Sequence, residues 1–299
     1  MPKFLNLENV MNDAVMSMRA NNQRRSSSSI GLGRRKSSLH VAYTRIGFML
    51  PAIIGGGAIV LGILFWNYMA QNGIRFILNF NNVPTPQAVG AAFWGALQTR
   101  DFYMDIGVSL LRIAGSFLMA AFFGILIGVS IGRFKFARWA FLPYIEIMRP
   151  IPAITWIPMA ILIWPTTEES ILFITFLGAF FPIVLNTIQG VEATPKALIN
   201  AAKTLGANEW DILRHVILPA SLPSITSGAA IGMGVSWFSL VAGEMIGGRA
   251  GIGYYTWNAY QLIQYSNIIV GMITIGILST ISTWIIYGIR YPLLKWQRS

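Results

Sequence analysis

Six long apolar runs constrain this chain more than any other feature. They fall at about 46–69, 105–132, 138–164, 168–189, 218–246 and 267–290. A helix needs about 20 predominantly apolar residues to cross the hydrocarbon core of a bilayer. Inside that core every backbone N–H and C=O must be satisfied internally, so such runs are helices. Charged residues make up only 11% of the chain and the mean hydropathy is +0.58, against about 25% charged in a soluble domain. The expected fold class is therefore all-α, a polytopic helical membrane protein with about six transmembrane helices. Cysteine is absent, which excludes disulfides and Cys-based metal sites.

The basic residues orient the bundle. With the N-terminus inside, the cytoplasmic segments hold seventeen of the 22 Lys and Arg residues. These lie in the N-terminal arm, at Arg133, Lys135 and Arg138, at Lys196, Lys203 and Arg214, and at Arg290, Lys295 and Arg298. The outer loops hold only Arg75, Arg100 and Arg249, while Arg112 and Arg149 fall inside apolar runs. Lys and Arg concentrate on the cytoplasmic side of membrane proteins. Both termini are thus expected in the cytoplasm of a cell whose inner (plasma) membrane the chain crosses several times.

Two regions are expected. Residues 1–45 are a cytoplasmic arm. Phe4, Leu7, Met11, Ala14 and Met18 share one helical face there, and the Ser/Arg linker at 24–38 cannot bury a core. The arm's charge suits an anionic lipid leaflet, and without an aromatic platform it does not suit nucleic acid. Its first apolar run begins too late and is too long for a cleavable signal peptide. Residues 46–299 form the transmembrane domain. Its Gly55, Gly56 and Gly57 run permits a kink or a close neighbour, and residues 88–97 form an interfacial stretch before the second span.

Between spans four and five lies the one polar, helix-competent segment, 191–219. Thr194 before Pro195 reads as a helix start. Gly206 reads as a stop. Asn208 with Asp211 three residues on reads as a capping box that restarts a second helix. The result is an elbow on the cytoplasmic side. Asn200-Ala201-Ala202, then Gly206, then Val216-Ile217-Leu218-Pro219 fall at the spacing of the "EAA" loop, which this segment resembles, of ABC-importer permeases. Asn200 stands where that pattern has Glu, and Val216 where it has Ile. The resemblance implies the type I ABC-importer permease fold. It also implies that the elbow, through Asn200, Ala201, Ala202, Leu205 and Gly206, couples the bundle to a cytoplasmic ATPase, with Leu205 as the knob that enters the ATPase groove.

Span three reads RPIPAITWIP, with Arg149, Pro150, Pro152, Trp156 and Pro158 at the spacing of a motif in the nitrate/sulfonate/taurine/bicarbonate branch of these permeases. Trp237, Val241, Ala242, Glu244 and Met245, followed by Gly251 and Gly253, are similar to a second stretch of that branch. The resemblance covers about residues 80–295. It implies a permease working as a pair of membrane subunits, here expected as a homodimer, with two ATP-binding subunits and an extracytoplasmic substrate-binding protein. ATP and Mg would sit on the partner ATPase. The implied cargo is a small anion such as nitrate, bicarbonate, a sulfonate or cyanate. An importer for a vitamin precursor, molybdate or an amino acid, or an ion-coupled carrier, is the alternative.

Ionisable residues within a membrane are costly, which makes them candidates for the transport path. Arg112, Glu146, Arg149 and Glu244 are the candidates, beside Trp156, Trp237 and Phe238 as an aromatic constriction. Each has a plainer reading as well. Glu146 and Arg149 lie three apart and can pair, Arg112 can reach an interface, and Glu244 can anchor a loop. The Gly/Ser-rich stretch 227–236 offers small faces that could slide. No phosphate-cradling G-x-x-x-x-G-K-[ST] loop is present, and His40 and His215 stand apart from any nucleophile. The chain is expected to be non-catalytic, with no cofactor and no metal of its own.

Overall fold

The computed structural model describes residues 36–73 and 80–293. Every regular element among them is helical. The described residues fall into two compact units, divided between Met69 and Ala70. In the first, α1 (Lys36–Gln71) is one continuous helix that runs through Gly55, Gly56 and Gly57 without a break. Its last 18 residues are long and apolar enough to cross a membrane. Residues 36–45, assigned to the arm from sequence, belong to this helix, while the expected amphipathic helix around Phe4 to Met18 lies outside the described residues.

The second unit begins with α2 (Pro86–Ala96), started by Thr85, whose hydroxyl accepts from the Ala88 amide at 3.3 Å. The bundle follows: α3 (Arg100–Arg133), α4 (Lys135–Met148), a short 3-10 turn (Ala153–Trp156), α5 (Ile157–Ile163) and α6 (Thr167–Glu192). The elbow comprises α7 (Lys196–Thr204) and α8 (Glu209–Ile212), and a π-helical turn (Leu213–Ile217) leads into α9 (Leu218–Gly247). Then come α10 (Ile252–Gln261) and α11 (Tyr265–Leu293). Among the described residues five helices are long and apolar enough to span a membrane, and α4 with the 3-10 turn and α5 makes up a sixth if that bent pair is one crossing.

The centre of this unit is α6, packed between α3 and α9. On α3, Gly124, Gly128 and Gly132 recur every fourth residue and meet Ile183, Thr187 and Val191 on α6. On α9, Gly228 and Gly232 meet Asn186, Pro182 and Ala179. A methyl on Gly128 would come within 2.6 Å of the Thr187 Cβ, and one on Gly228 within 2.5 Å of the Asn186 Cβ. Small residues allow membrane helices to approach this closely and gain dispersion contacts that lipid tails cannot displace. In the stretch 227–236, Gly228 and Gly232 are therefore filled by α6, while Gly234 faces open space.

The expected third span, 138–164, is not a straight helix. Its two halves are bent by 90°. Pro150 and Pro152 remove backbone donors at the break, whereas Pro158 sits in the first turn of α5, where no intrahelical donor is needed. The halves still climb α6 in step. Arg138 pairs with Glu192 at the end of α6. Ile145 packs with Val184 and Ile188, and Ile157 and Ala160 pack with Ile174. The Ala160 carbonyl then accepts from Ser170 at 3.1 Å. Together the two halves traverse nearly the full length of α6, so the pair makes one broken crossing.

Candidate functional site

Three places in the second unit hold the residues singled out from sequence. At one end lies the elbow. Helix α7 closes on Gly206, at φ +84°. The Gly206 amide donates to the Lys203 carbonyl and the Ala207 amide to the Ala202 carbonyl, each at 3.0 Å, the double closure of a Schellman motif. The second helix is capped as expected: the Asp211 amide donates to Asn208 Oδ1 at 2.9 Å, and the Asn208 amide donates back to Asp211 at 3.4 Å. The start of α7 differs from expectation. Thr194 is buried and its hydroxyl points back to the Gly190 carbonyl at 3.5 Å, which leaves Pro195 as the cap.

The elbow is fastened to the bundle. Ile212 and Ile217 are buried with Val191 and pack with Val129, Ile199, Ala202 and Ala207. Glu209 takes Arg133 from the end of α3 and Lys203 from α7, the latter at 3.1 Å. Such exposed pairs add little energy singly, yet here they bind α3, α7 and α8 into one block. What remains outside is the bend. Leu205 is 88% exposed, and Asn200, Ala201 and Gly206 are exposed beside it. A bare leucine on a tightly closed turn, backed by a packed helix pair, is a shape that a complementary groove can grip.

At the opposite end lies an ion cluster. Glu244, near the end of α9, is completely buried. Its carboxylate accepts from Ser109 Oγ at 2.8 and 2.9 Å, from Arg112 at 2.8 Å and from the Gly253 amide at 2.9 Å. The other arm of the Arg112 fork holds Glu168, in the first turn of α6. Arg112 also donates to the Ala250 carbonyl at 2.7 Å, and Asp105 receives the Gly251 amide at 2.8 Å. Gly251 has φ +114°, and a side chain there would run into the Glu244 carboxylate, 2.3 Å from its ideal Cβ. The G-x-G turn thus exists so that backbone can wrap a buried acid. Beside it, burial and then the charge of Asp105 raise the Tyr255 phenol above its ordinary value.

This cluster joins two residues that the sequence left unpaired, Arg112 and Glu244, and adds Ser109, Asp105 and Glu168. Their sequence separations exceed a hundred residues in part, and nothing in local spacing points to the partnership. Both arms of Arg112 are occupied by carboxylates, and the Glu244 carboxylate holds the Gly253 amide of the 248–253 turn.

Between the two ends is a cleft of about 610 Å³ at the break in the third crossing. Arg149 and Pro152 line it from the break, Phe181 and Asn186 from α6, and Ile231 and Val235 from α9. Arg149 is exposed and makes no ion pair among the described residues. The Glu146–Arg149 pair allowed by spacing is not among the ion pairs of the described residues, although Arg149 keeps helical dihedrals as the C-cap of α4, and Arg149 lines the cleft instead. The three aromatic candidates do not converge either. Trp237 is buried, its neighbour Phe238 is 64% exposed on another face, and Trp156 is half-buried. Successive residues on a helix point about 100° apart, so Trp237 and Phe238 cannot line one constriction. The described residues include no group of three or more His, Cys, Asp and Glu side chains arranged to hold a metal.

A family model described as binding-protein-dependent transport system inner membrane component matches residues 120–295. An ABC transporter permease protein of Methanocaldococcus jannaschii is 39% identical over 67% of this chain and 74% of its own length. The nitrate import permease protein NrtB of Synechocystis sp. is 37% identical over 58% of this chain and 63% of its own length. Among solved structures, a chain of the MetNI methionine ABC transporter in an inward-facing conformation superposes with a TM-score of 0.51. That match has 21% identity and covers 62% of this chain and 94% of the other, a likeness of fold.

Proposed function

The chain belongs to the family of binding-protein-dependent transport system inner membrane components, the permeases of ABC importers, and from that premise we propose that it forms the path by which an ATP-driven importer takes up a small anion. The observation that carries the coupling is the elbow: an 88% exposed Leu205 on a Schellman-closed bend, fixed through Glu209 to α3 and through Ile212 to the core. A lever transmits force only if it is stiff and presents a gripping point, and this segment has both properties. A cytoplasmic ATPase on each of two permease copies would move the block formed by α3, α6 and the elbow as a rigid body. Two packings of the pair would then be biased by nucleotide on one side and by a loaded external binding protein on the other.

The anion rests on Arg149. An arginine at the middle of a bundle, facing a cleft and lacking a carboxylate partner among the described residues, lowers the cost of a negative charge at that depth. Nitrate is the cargo in the printed name of one relative; bicarbonate presents a similar planar face to a guanidinium, a sulfonate a trigonal set of oxygens, and linear cyanate a single charged end. The test is uptake by the assembled transporter in proteoliposomes, with Arg149→Ala and Arg149→Lys. Arg149→Ala should lower anion uptake at least tenfold while insertion and the basal ATPase rate stay as they were. Uptake kinetics matching the parent would remove Arg149 from the path. Uptake of a neutral solute in preference to anions would remove the anion.

A further inference from the structure

The exposed faces of the bundle are not alike at membrane depth. On α3 the exposed residues between 110 and 126 are all nonpolar, among them Leu111, Leu118 and Phe122. That is the face a helix shows to lipid. The seam of α6 and α9 differs on its half towards the elbow. Gln189 is exposed there, and Asn186, Ser224 and Ser227 are partly buried. Gly228 seats against Asn186, and Gly190 seats against Ser224, so the two helices bring these side chains to adjoining levels. Farther from the elbow the same stripe of α9 becomes apolar, with Ile231 54%, Val235 38% and Phe238 64% exposed. The cleft with Arg149 lies at the changeover.

The polar side chains are underused. Ser227 donates to the Pro223 carbonyl at 2.8 Å and Asn186 donates one amide hydrogen to the Pro182 carbonyl at 2.8 Å. That leaves the Asn186 oxygen and its second hydrogen unused. Gln189 and Ser224 make no side-chain hydrogen bond among the described residues. Polar groups open at membrane depth are tolerated where they meet water or protein, not lipid.

The geometry points to a water-filled exit lane along this seam, in which Asn186, Gln189, Ser224 and Ser227 take the cargo from the Arg149 cleft to the inner face. The inference deepens the transport reading and rests on it for the direction of flow. Hydroxyls and carboxamides can replace part of a small oxyanion's hydration without offering a charge that would trap it, which release requires. The lane stops at the cleft because the stripe beyond it is apolar, and Phe238 stands in that dry half.

The protein contains no cysteine, so single cysteines report cleanly. Gln189→Cys, Ser224→Cys, Ser227→Cys, Phe238→Cys and, on the apolar face of α3, Leu118→Cys are made in the full chain with its partner subunits. Inside-out membrane vesicles are treated with an anionic, membrane-impermeant methanethiosulfonate, which reacts with thiolates in water. The three lane cysteines should react at least tenfold faster than Leu118→Cys, and Phe238→Cys should react as slowly as Leu118→Cys. A permeant maleimide added after detergent denaturation verifies that every thiol is present. Lane cysteines as slow as Leu118→Cys, or Phe238→Cys as fast as Ser227→Cys, would overturn the lane. Labelling needs no transport, so fast lane labelling in a transporter that refuses anions would retain the lane and remove only the choice of cargo.

Discussion

Replacing Glu244 by Gln tests whether the buried ion cluster holds the far end of the bundle together. The substitution preserves shape and removes one charge. In the parent, the carboxylate accepts the single Ser109 hydroxyl hydrogen, shared between its two oxygens, and one hydrogen bond each from Arg112 and the Gly253 amide. A carboxamide has one acceptor oxygen, and its NH2 would face groups that are themselves donors. Breaking a buried ion pair from one side costs about 3–5 kcal/mol, since the remaining charge stays buried. Arg112 retains Glu168, which is 58% exposed, and that tempers the loss. The expected destabilisation is about 3 kcal/mol, roughly a hundredfold in the unfolding equilibrium. It is read by equilibrium unfolding in mixed micelles of increasing sodium dodecyl sulfate content. Arg112→Met should cost a similar amount, and the double variant should lose at least about 1 kcal/mol less than the sum of the singles. A loss below about 1 kcal/mol for Glu244→Gln, or strict additivity in the double, would refute the cluster as a coupled unit.

The elbow yields two further tests. At Gly206 a Cβ would meet nothing within 4 Å, so Gly206→Val acts only through the left-handed backbone, at a cost of about 1–2 kcal/mol; uptake should fall while the chain still inserts, Gly206→Asn should retain most activity, and normal uptake by the valine variant would count against the bend. Leu205→Asp should leave unfolding unchanged, because the side chain is 88% exposed, yet reduce co-purification of the ATPase at least tenfold; undiminished co-purification would exclude Leu205 as the gripped knob. For Tyr255, burial and Asp105 raise the phenol above its ordinary 10.0, so the folded state holds that proton more tightly than the unfolded one. Stability should therefore decline as pH rises from the ordinary tyrosine range through the folded value, and difference absorbance of tyrosinate should show Asp105→Asn moving the midpoint down. No movement would remove Asp105 as a cause.

Much of this protein was legible in sequence because membrane and helix-end rules are local. Apolar runs of sufficient length must be helices, and among the described residues five helices long and apolar enough to span and one bent pair appear where such runs lie. The Gly206 stop and the Asn208–Asp211 capping box depend on residues within three or four positions of one another. Thr194 had local partners on either side, and its hydroxyl turned back to the Gly190 carbonyl four residues before it rather than forward to the start of α7. The prolines of the third crossing announced a break, but which of them would break the helix depended on where α5 began, and that placed Pro158 harmlessly in a first turn.

The sequence alone determined the class of molecule, the number and sides of its crossings as expectations, and the bent handle between spans four and five. These follow from hydrophobic length, charge bias and cap chemistry, each read within a few residues. Only the tertiary structure decided which intramembrane charges are spent and which are free. Arg112 and Glu244 are 132 positions apart and meet because glycines let α3, α6 and α9 approach to backbone contact. Arg149 pairs with no carboxylate among the described residues and lines the cleft at the break that follows it. Pairing of buried charges depends on three-dimensional proximity, and proximity between helices is set by packing that no local pattern encodes.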